Sequence, residues 1–444
     1  MQQPQIIPRG EHGLSRKQVS QNALKVLYRL KDCGFEPFLV GGCVRDILLD
    51  HMPKDFDVAT DATPEEIRSN FRNCRLIGRR FRLAHIHFGR DYIEVATFRG
   101  TQNEDGEEDA RRHDDDGRLL ADNVYGTIEE DAVRRDFTVN ALYYDVRDFS
   151  VRDYVGGFDD LRAGVLRLIG DPEARYREDP VRMLRAIRFA AKLDFSIAPE
   201  TAAPIAGLGD LLESIPPARL FDESLKLFMS GNGAASLAKL LEYGLFDQLF
   251  PASAPFLRDD SGTRALVDAA MDNTDERVAE EKPVTPAFLF ATMLWPAVRA
   301  ESQSLMEEES LGLAEALSVA ADDVIHQQVR RIAIPRRFSV PMREIWQLQP
   351  RFEARKGKRA LRLLEHPRFR AAYDFLLLRV HEEPELEESA RFWTEIQELD
   401  ASQLQERLFG QGGGGGGGGN TRRRRGGRRR GRRRRAKPTP ESDS

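Results

Sequence analysis

Leu39-Val40-Gly41-Gly42-Cys43-Val44-Arg45-Asp46, followed nine residues on by Asp55-Phe56-Asp57, is the stretch that decides how this chain folds. Phe38 to Val40 read as a short buried strand. Gly41-Gly42 read as a turn whose amides no side chain covers. Asp46 onward, with Ile47, Leu48 and Leu49, reads as a short helix. Its first amides, with Arg45, favour an anion. Asp55 and Asp57 flank Phe56 on an expected second strand, where residues i and i+2 share a face. Two adjacent carboxylates repel unless a cation neutralises them, and hard oxygen ligands suit Mg²⁺. A glycine pair alone marks a turn, and an Asp-x-Asp alone a solvated edge. Their ordered pairing with Arg45 points to metal-assisted nucleotidyl or phosphoryl transfer.

Gly41-Gly42-Cys43-Val44-Arg45-Asp46 with Asp55-Phe56-Asp57-Val58 resembles the head of the class II template-independent nucleotidyltransferases, the group of bacterial poly(A) polymerases and CCA-adding enzymes. The resemblance runs from about Asn22 to Val380. It implies an α+β fold: a nucleotidyltransferase-type α/β head with a small mixed sheet, an all-helical neck and body, and a disordered Gly/Arg tail. It also implies two Mg²⁺ ions, with Mn²⁺ as a substitute, and ATP as substrate. Arg134-Arg135-Asp136-Phe137-Thr138-Val139-Asn140 matches a block that supplies a third carboxylate in the family. By that match Asp55, Asp57 and Asp136 are the catalytic metal ligands. Gly41, Gly42, Arg45 and Arg135 lie against phosphate or ribose, with Asn140 supporting them.

Glu178-Asp179-Pro180-Val181-Arg182-Met183-Leu184-Arg185-Ala186-Ile187-Arg188 forms the fourth block. Asp179 suits an N-cap and Pro180 a first helical position. Arg182, Arg185 and Arg188 share one arc of the helix, and Met183, Leu184, Ile187 and Ala191 another. Without the other blocks this is an ordinary amphipathic helix. In the family the aspartate and arginine read the base, which implies Asp179 and Arg182 here, with Arg185 close behind. A carboxylate only accepts and a guanidinium only donates. Adenine and cytosine offer an amine donor beside a ring acceptor. Uracil and guanine offer the reverse and leave buried groups unpaired, at about 1–3 kcal/mol each. The pair separates A and C from G and U, but not A from C.

Leu76-Ile77-Gly78-Arg79-Arg80-Phe81-Arg82-Leu83-Ala84-His85-Ile86-His87-Phe88 resembles the stretch that marks poly(A) polymerases within the family. Read as residues, it is a basic turn entering a strand, with Arg79 and Arg80 suited to RNA phosphates. His85 and His87 share a face but lack a third ligand for zinc.

The net charge of −5 conceals an asymmetry. Thr421 to Ser444 holds eleven arginines and one lysine against two acids, a net of +10, which leaves −15 on residues 1–420. Such a tail suits a polyanion, with Arg422, Arg428 and Arg432 expected on RNA. Lys356, Lys358 and Arg359, beside Arg362, form a second basic cluster ahead of Phe369 and Tyr373. That aromatic pair, four residues apart, fits core better than a stacking platform. No apolar run approaches a membrane span, and Met1 to Gly13 shows no secretory signal. Cys33, Cys43 and Cys74 form no metal-spaced set and suit a reducing cytoplasm.

Residues 1–16 are expected as a flexible leader, 17–171 as the catalytic head, 172–260 as a helical neck for base and RNA, 261–405 as a helical body, and 406–444 as a linker and tail. Within the head, Gln18 to Lys31 is expected as a helix and Thr63-Pro64-Glu65-Glu66 as a helix start. Ala84 to Phe88 and Tyr92 to Thr97 are expected strands. Acidic Thr101 to Asp122, with Asp114-Asp115-Asp116, is expected as a mobile loop, and Arg167 to Ile169 as the close of the sheet region. Gly412 to Gly419 can only link. The expected activity is addition of AMP from ATP to RNA 3′ ends without a template, releasing pyrophosphate. RNA chaperones or RNA-decay proteins are expected helpers. A CCA-adding enzyme and a non-catalytic RNA-binding protein on the same fold are the alternatives.

Overall fold

A computed structural model describes residues 3–78, 82–100, 111–113, 119–122 and 124–410. Eight strands form the main sheet: β1 (Gln5–Ile7), β2 (Phe38–Val40), β3 (Asp57–Thr60), β4 (Cys74–Ile77), β5 (Leu83–Phe88), β6 (Asp91–Thr97), and, after the separate hairpin β7 (Arg111–His113) and β8 (Leu119–Asp122), β9 (Leu142–Asp145) and β10 (Val151–Asp153). Their order is β1-β10-β9-β2-β3-β6-β5-β4. β3 and β6 run parallel, and every other pair in this sheet is antiparallel.

The central strand β2 is buried throughout, as an uninterrupted apolar triplet between two neighbours must be. One sheet face packs on α1 (Gln21–Asp32) through Ala23, Val26, Leu27 and Leu30. The helix starts at a Ser20 cap, three residues later than expected, and a separate capped turn covers Arg16–Gln18. Phe38, Val40, Ala59, Phe98, Ile128, Ala132 and Tyr143 make a second, smaller core that includes α4 (Ile128–Arg134). The expected helix start at Thr63 carries its full reciprocal capping box, opening α3 (Pro64–Asn70).

Several expectations change. Residues 3–16 are not a loose leader: β1 pairs with β10, and Ile7, His12 and Leu14 are buried. The short alternation of the segment hid an edge strand. Part of the acidic segment forms the β7–β8 hairpin, while Asp114, Asp115 and Asp116 lie outside the described residues. Arg167 to Ile169 does not close the main sheet. Val165–Leu166 pairs instead with Ser196–Ile197 in a two-stranded parallel patch, and Leu168 bridges Phe137.

From Pro172 the chain is helical apart from that patch. A further core around Leu348, Phe352, Phe369, Tyr373 and Trp393 closes the C-terminal end. The last helix, Ala401–Phe409, has an Asp400 capping box and buries Leu408, so order extends past residue 406. Gln411 to Ser444 lies outside the described residues. No helix among the described residues is long and apolar enough to cross a membrane.

Candidate active site

Gly41 ends β2 with φ +77° and ψ −135°, a conformation open to glycine alone. Helix α2 (Gly42–Leu48) then begins at once, four residues earlier than expected, so Arg45 and Asp46 sit inside it. A Cβ at Gly41 would lie 3.5 Å from Arg135 Nη1, and one at Gly42 would lie 3.6 Å from Arg45 Nη2. Two guanidinium groups thus flank the glycine pair. Arg135 is held there by α4, donating to Asp131 Oδ2 at 3.0–3.2 Å and to the Tyr143 hydroxyl at 2.9 Å. Cys43 is buried, and burial with the nearby Asp57 charge pushes its thiol up to about 12, so it is packing rather than nucleophile.

Arg45 is only 2% exposed and is bound into a buried polar chain. It donates to Asp46 Oδ1 through Nε at 2.8 Å, and to Asn140 Oδ1 through Nη1 at 2.6 Å. Asn140 Nδ2 donates to Asp136 Oδ1 at 3.1 Å. Arg185 Nε donates to Asp136 Oδ2 at 2.9 Å. Burial opposes the charged Asp136, but Arg185, Asn140 and the Phe137 amide outweigh it and hold the carboxyl below its usual range. Lys192 completes the chain on Asp46. Arg45 and Asn140, 95 positions apart, meet because α2 packs against the turn Thr138–Asn140, and Arg185 of helix α7 (Val181–Leu193) reaches Asp136 across 49 positions.

Asp57 stands apart from that chain. It opens β3, while Asp55 precedes the strand, so the two carboxylates share one edge without sharing one strand. In parallel register Asp57 lies beside Glu94 of β6, and antiparallel register sets Glu94 beside His85 of β5. Asp57 is exposed to solvent on one side yet crowded by protein on the others. Crowding first, then Glu94, pushes its carboxyl up to about 6; Asp55 adds to this and Arg135 opposes it. Anions that repel in this way fit a divalent cation. Among the described residues no three ligands converge as a ready cage. Neither Asp136 nor Glu94 therefore joins Asp55 and Asp57 in a preformed set of three, although register sets Glu94 beside Asp57 and the oxygens of Asp136 face Arg185 and Asn140.

The raised carboxyl has a measurable consequence. The folded chain holds this proton more tightly than the unfolded chain, so ionised Asp57 destabilises the fold above about pH 6, and the effect vanishes toward the ordinary value of 3.8. Metal-free Asp57→Asn is expected to melt above the unchanged chain near pH 7 and level with it near pH 4. Thermal melts across that range check it; parallel curves at all pH values would refute it.

Asp179 lies at the junction of α6 (Pro172–Glu178) and α7. The helix begins one residue later than expected, yet Asp179 Oδ1 still accepts from the Val181 amide, at 3.3 Å. Its other oxygen takes Arg219 at 2.6 Å. Arg182 donates to Glu178 and to the Arg175 carbonyl, both at 2.8 Å. Arg188 pairs with buried Glu223 at 2.6 Å. Every arginine of the basic arc therefore has a protein acid as partner, while Met183, Leu184 and Ile187 are fully buried as the apolar arc. The ring of Phe189 lies 4.4–5.3 Å from the guanidiniums of Arg45, Arg185 and Arg188.

Lys356, Lys358 and Arg359 are exposed around the start of the helix Gly357–Leu364. Phe369 and Tyr373 are core. Arg79, Arg80, Arg422, Arg428 and Arg432 lie outside the described residues. Sequence reasoning missed Glu94, Asp131, Arg219 and Glu223. Alternation with Ile93 and Val95 places Glu94 on the polar face of β6. Only the β3–β6 register puts that face beside Asp57.

Three family profiles match the chain: the poly A polymerase head domain over residues 37–167, the "Probable RNA and SrmB- binding site of polymerase A" over 194–257, and the polymerase A arginine-rich C-terminus over 309–436. Poly(A) polymerase I of Salmonella typhi is 55% identical over 398 residues, 88% of this chain and 85% of the relative. Poly(A) polymerase I of Haemophilus influenzae is 49% identical, covering 90% of each. Among solved structures, the Bacillus stearothermophilus CCA-adding enzyme in complex with CTP aligns with a TM-score of 0.56 at 24% identity, over 87% of each chain. That last likeness is one of fold.

Proposed function

The chain belongs to the poly(A) polymerase I family of nucleotidyltransferases, and from that premise we propose how its residues share the work of adding AMP from ATP to RNA 3′ ends. The observation that carries the proposal is the row of carboxylates, Asp57 beside Glu94, next to a glycine turn flanked by two guanidiniums. Asp55 and Asp57 would hold two Mg²⁺ ions. Glu94 serves as third carboxylate in preference to Asp136, whose oxygens are taken by Arg185, Asn140 and the Phe137 amide. When bound, the ions lower the pKa of the RNA 3′-hydroxyl and offset charge on the leaving pyrophosphate.

The triphosphate lies along Gly41 and Gly42, with Arg135 contributing charge from one side. Arg45 supports this from beneath, since its donors are committed to Asp46 and Asn140. Asp136 and Asn140 brace that support against Arg185. Asp179 and Arg182 read the base after exchanging Arg219 and Glu178 for the adenine edge. Free cysteines suit cytoplasmic work, and RNA-decay proteins or RNA chaperones are the expected company.

The direct test is an unstructured RNA incubated with each NTP in turn, resolved on a sequencing gel. ATP alone should give a long ladder. The second reading, CCA addition, is favoured only by the shared fold. A tRNA lacking CCA, whose extension is sequenced, separates the two: C-C-A would replace the proposal.

The tail supplies a further expectation. Truncation after Phe409 removes every tail arginine and none of the described buried residues. Single-nucleotide addition at saturating RNA should survive. RNA affinity and its salt slope should both fall, because fewer counterions are released. The remaining body, at about −15, repels RNA most at low salt. Superimposable salt slopes for the two proteins would assign the arginines to another partner.

A further inference from the structure

We propose that His85 is a positioning residue, which fixes the Glu94 carboxylate beside Asp57 and so sets the cation-binding edge of the sheet. The proposal rests on the reading of Asp57 and Glu94 as carboxylates for the cation. Its ground is one row of side chains across three strands. Register places Asp57 beside Glu94 and Glu94 beside His85, so all three stand on the same face. His85 Nε2 lies 3.3 Å from Glu94 Oε2. The approach is to one oxygen of the carboxylate.

The ring cannot swing freely. It stacks on Tyr92 at 4.4 Å between centroids and 8° between planes. Tyr92 is 52% exposed, so the stack stands at the front of the sheet rather than in the core. The side chains of His85 and Glu94 are 15% and 36% exposed, so the imidazole is held by its stack while the carboxylate still reaches solvent. Carboxylates that bind metals are oriented by the polar groups around them, and loss of such a neighbour costs about 10- to 100-fold in metal affinity or activity. Through His85 the segment 76–88 reaches the carboxylate beside Asp57.

The test uses the full chain without nucleotide and Mn²⁺ as probe, with free Mn²⁺ read by electron paramagnetic resonance. His85→Phe keeps a ring on Tyr92 and removes the donor; His85→Ala removes both. Each should weaken Mn²⁺ binding by at least about tenfold. His85→Gln, which keeps an N–H donor, should return to within about threefold of the unchanged chain. Adding His85→Phe to Glu94→Gln should cost nothing beyond Glu94→Gln alone, since both act through one contact. RNA affinity in metal-free buffer should stay constant throughout. Wild-type Mn²⁺ affinity in His85→Phe, or a His85→Gln as weak as His85→Ala, overturns the proposal. Asp57→Asn separates the two levels. If it too binds Mn²⁺ normally, the cation reading itself fails; if it loses binding while His85→Phe does not, only the role of His85 fails.

Discussion

Asp57→Asn is expected to cut AMP addition by at least about a thousandfold while leaving the chain folded. Stabilisation by a bound metal is worth several kcal/mol, and each 1.36 kcal/mol is about tenfold in rate. Asp57 opens its strand at the solvent edge and Asn keeps its shape, so the substitution removes chemistry rather than structure. Asp55→Ala should behave alike, since Asp55 is exposed ahead of the strand. Asp136→Asn makes the informative contrast. Its carboxylate answers a half-buried Arg185, so its removal should lower the melting temperature as well as the rate, because it leaves a charge without its partner. Rates at saturating Mg²⁺, with melts in parallel, check all three. Near-unchanged turnover in Asp57→Asn would end the assignment.

Arg182→Ala is expected to relax the preference for A over G and U by roughly ten- to a hundredfold, as the donor that penalises the wrong edge disappears. The fold should hold, because Glu178 keeps Arg175 as its partner at 2.8 Å. Asp179→Asn is a cleaner partner variant than alanine: an amide oxygen still caps the Val181 amide, but the charge facing Arg219 is gone. Preference for A over C should not move in either, since the two bases present the same edge. Incorporation of all four NTPs gives the ratios. A uniform fall in rate with an unchanged A:G:U ratio would place base reading elsewhere.

The elements with strong local signals were legible. Thr63, Pro64 and Glu66 write a capping box that forms as read. The three apolar residues before Gly41 form a buried strand. The arcs of α7 divide as helical periodicity requires, with Met183, Leu184 and Ile187 buried. Weak local signals failed. Gln5–Ile7 is a strand only because β10 accepts it at the sheet edge. The start of α2 moved to Gly42 because the positive-φ glycine before it turns the chain straight into the helix.

Residue chemistry and spacing along the chain determined that this protein carries a glycine turn ahead of paired carboxylates, an amphipathic helix with a basic arc, an acidic body and an arginine tail. Those features are local, so a window of sequence contains them whole. Which groups meet was decided only by the tertiary structure. Register between β3 and β6 gave Asp57 its neighbour Glu94, and register between β5 and β6 gave Glu94 to His85. Packing of α2 against the turn Thr138–Asn140 enclosed Arg45 with Asn140, and α7 brought Arg185 to Asp136. Strand register and helix docking follow from burial of apolar faces far apart in the chain, and the polar groups on those elements take the neighbours that this burial brings to them.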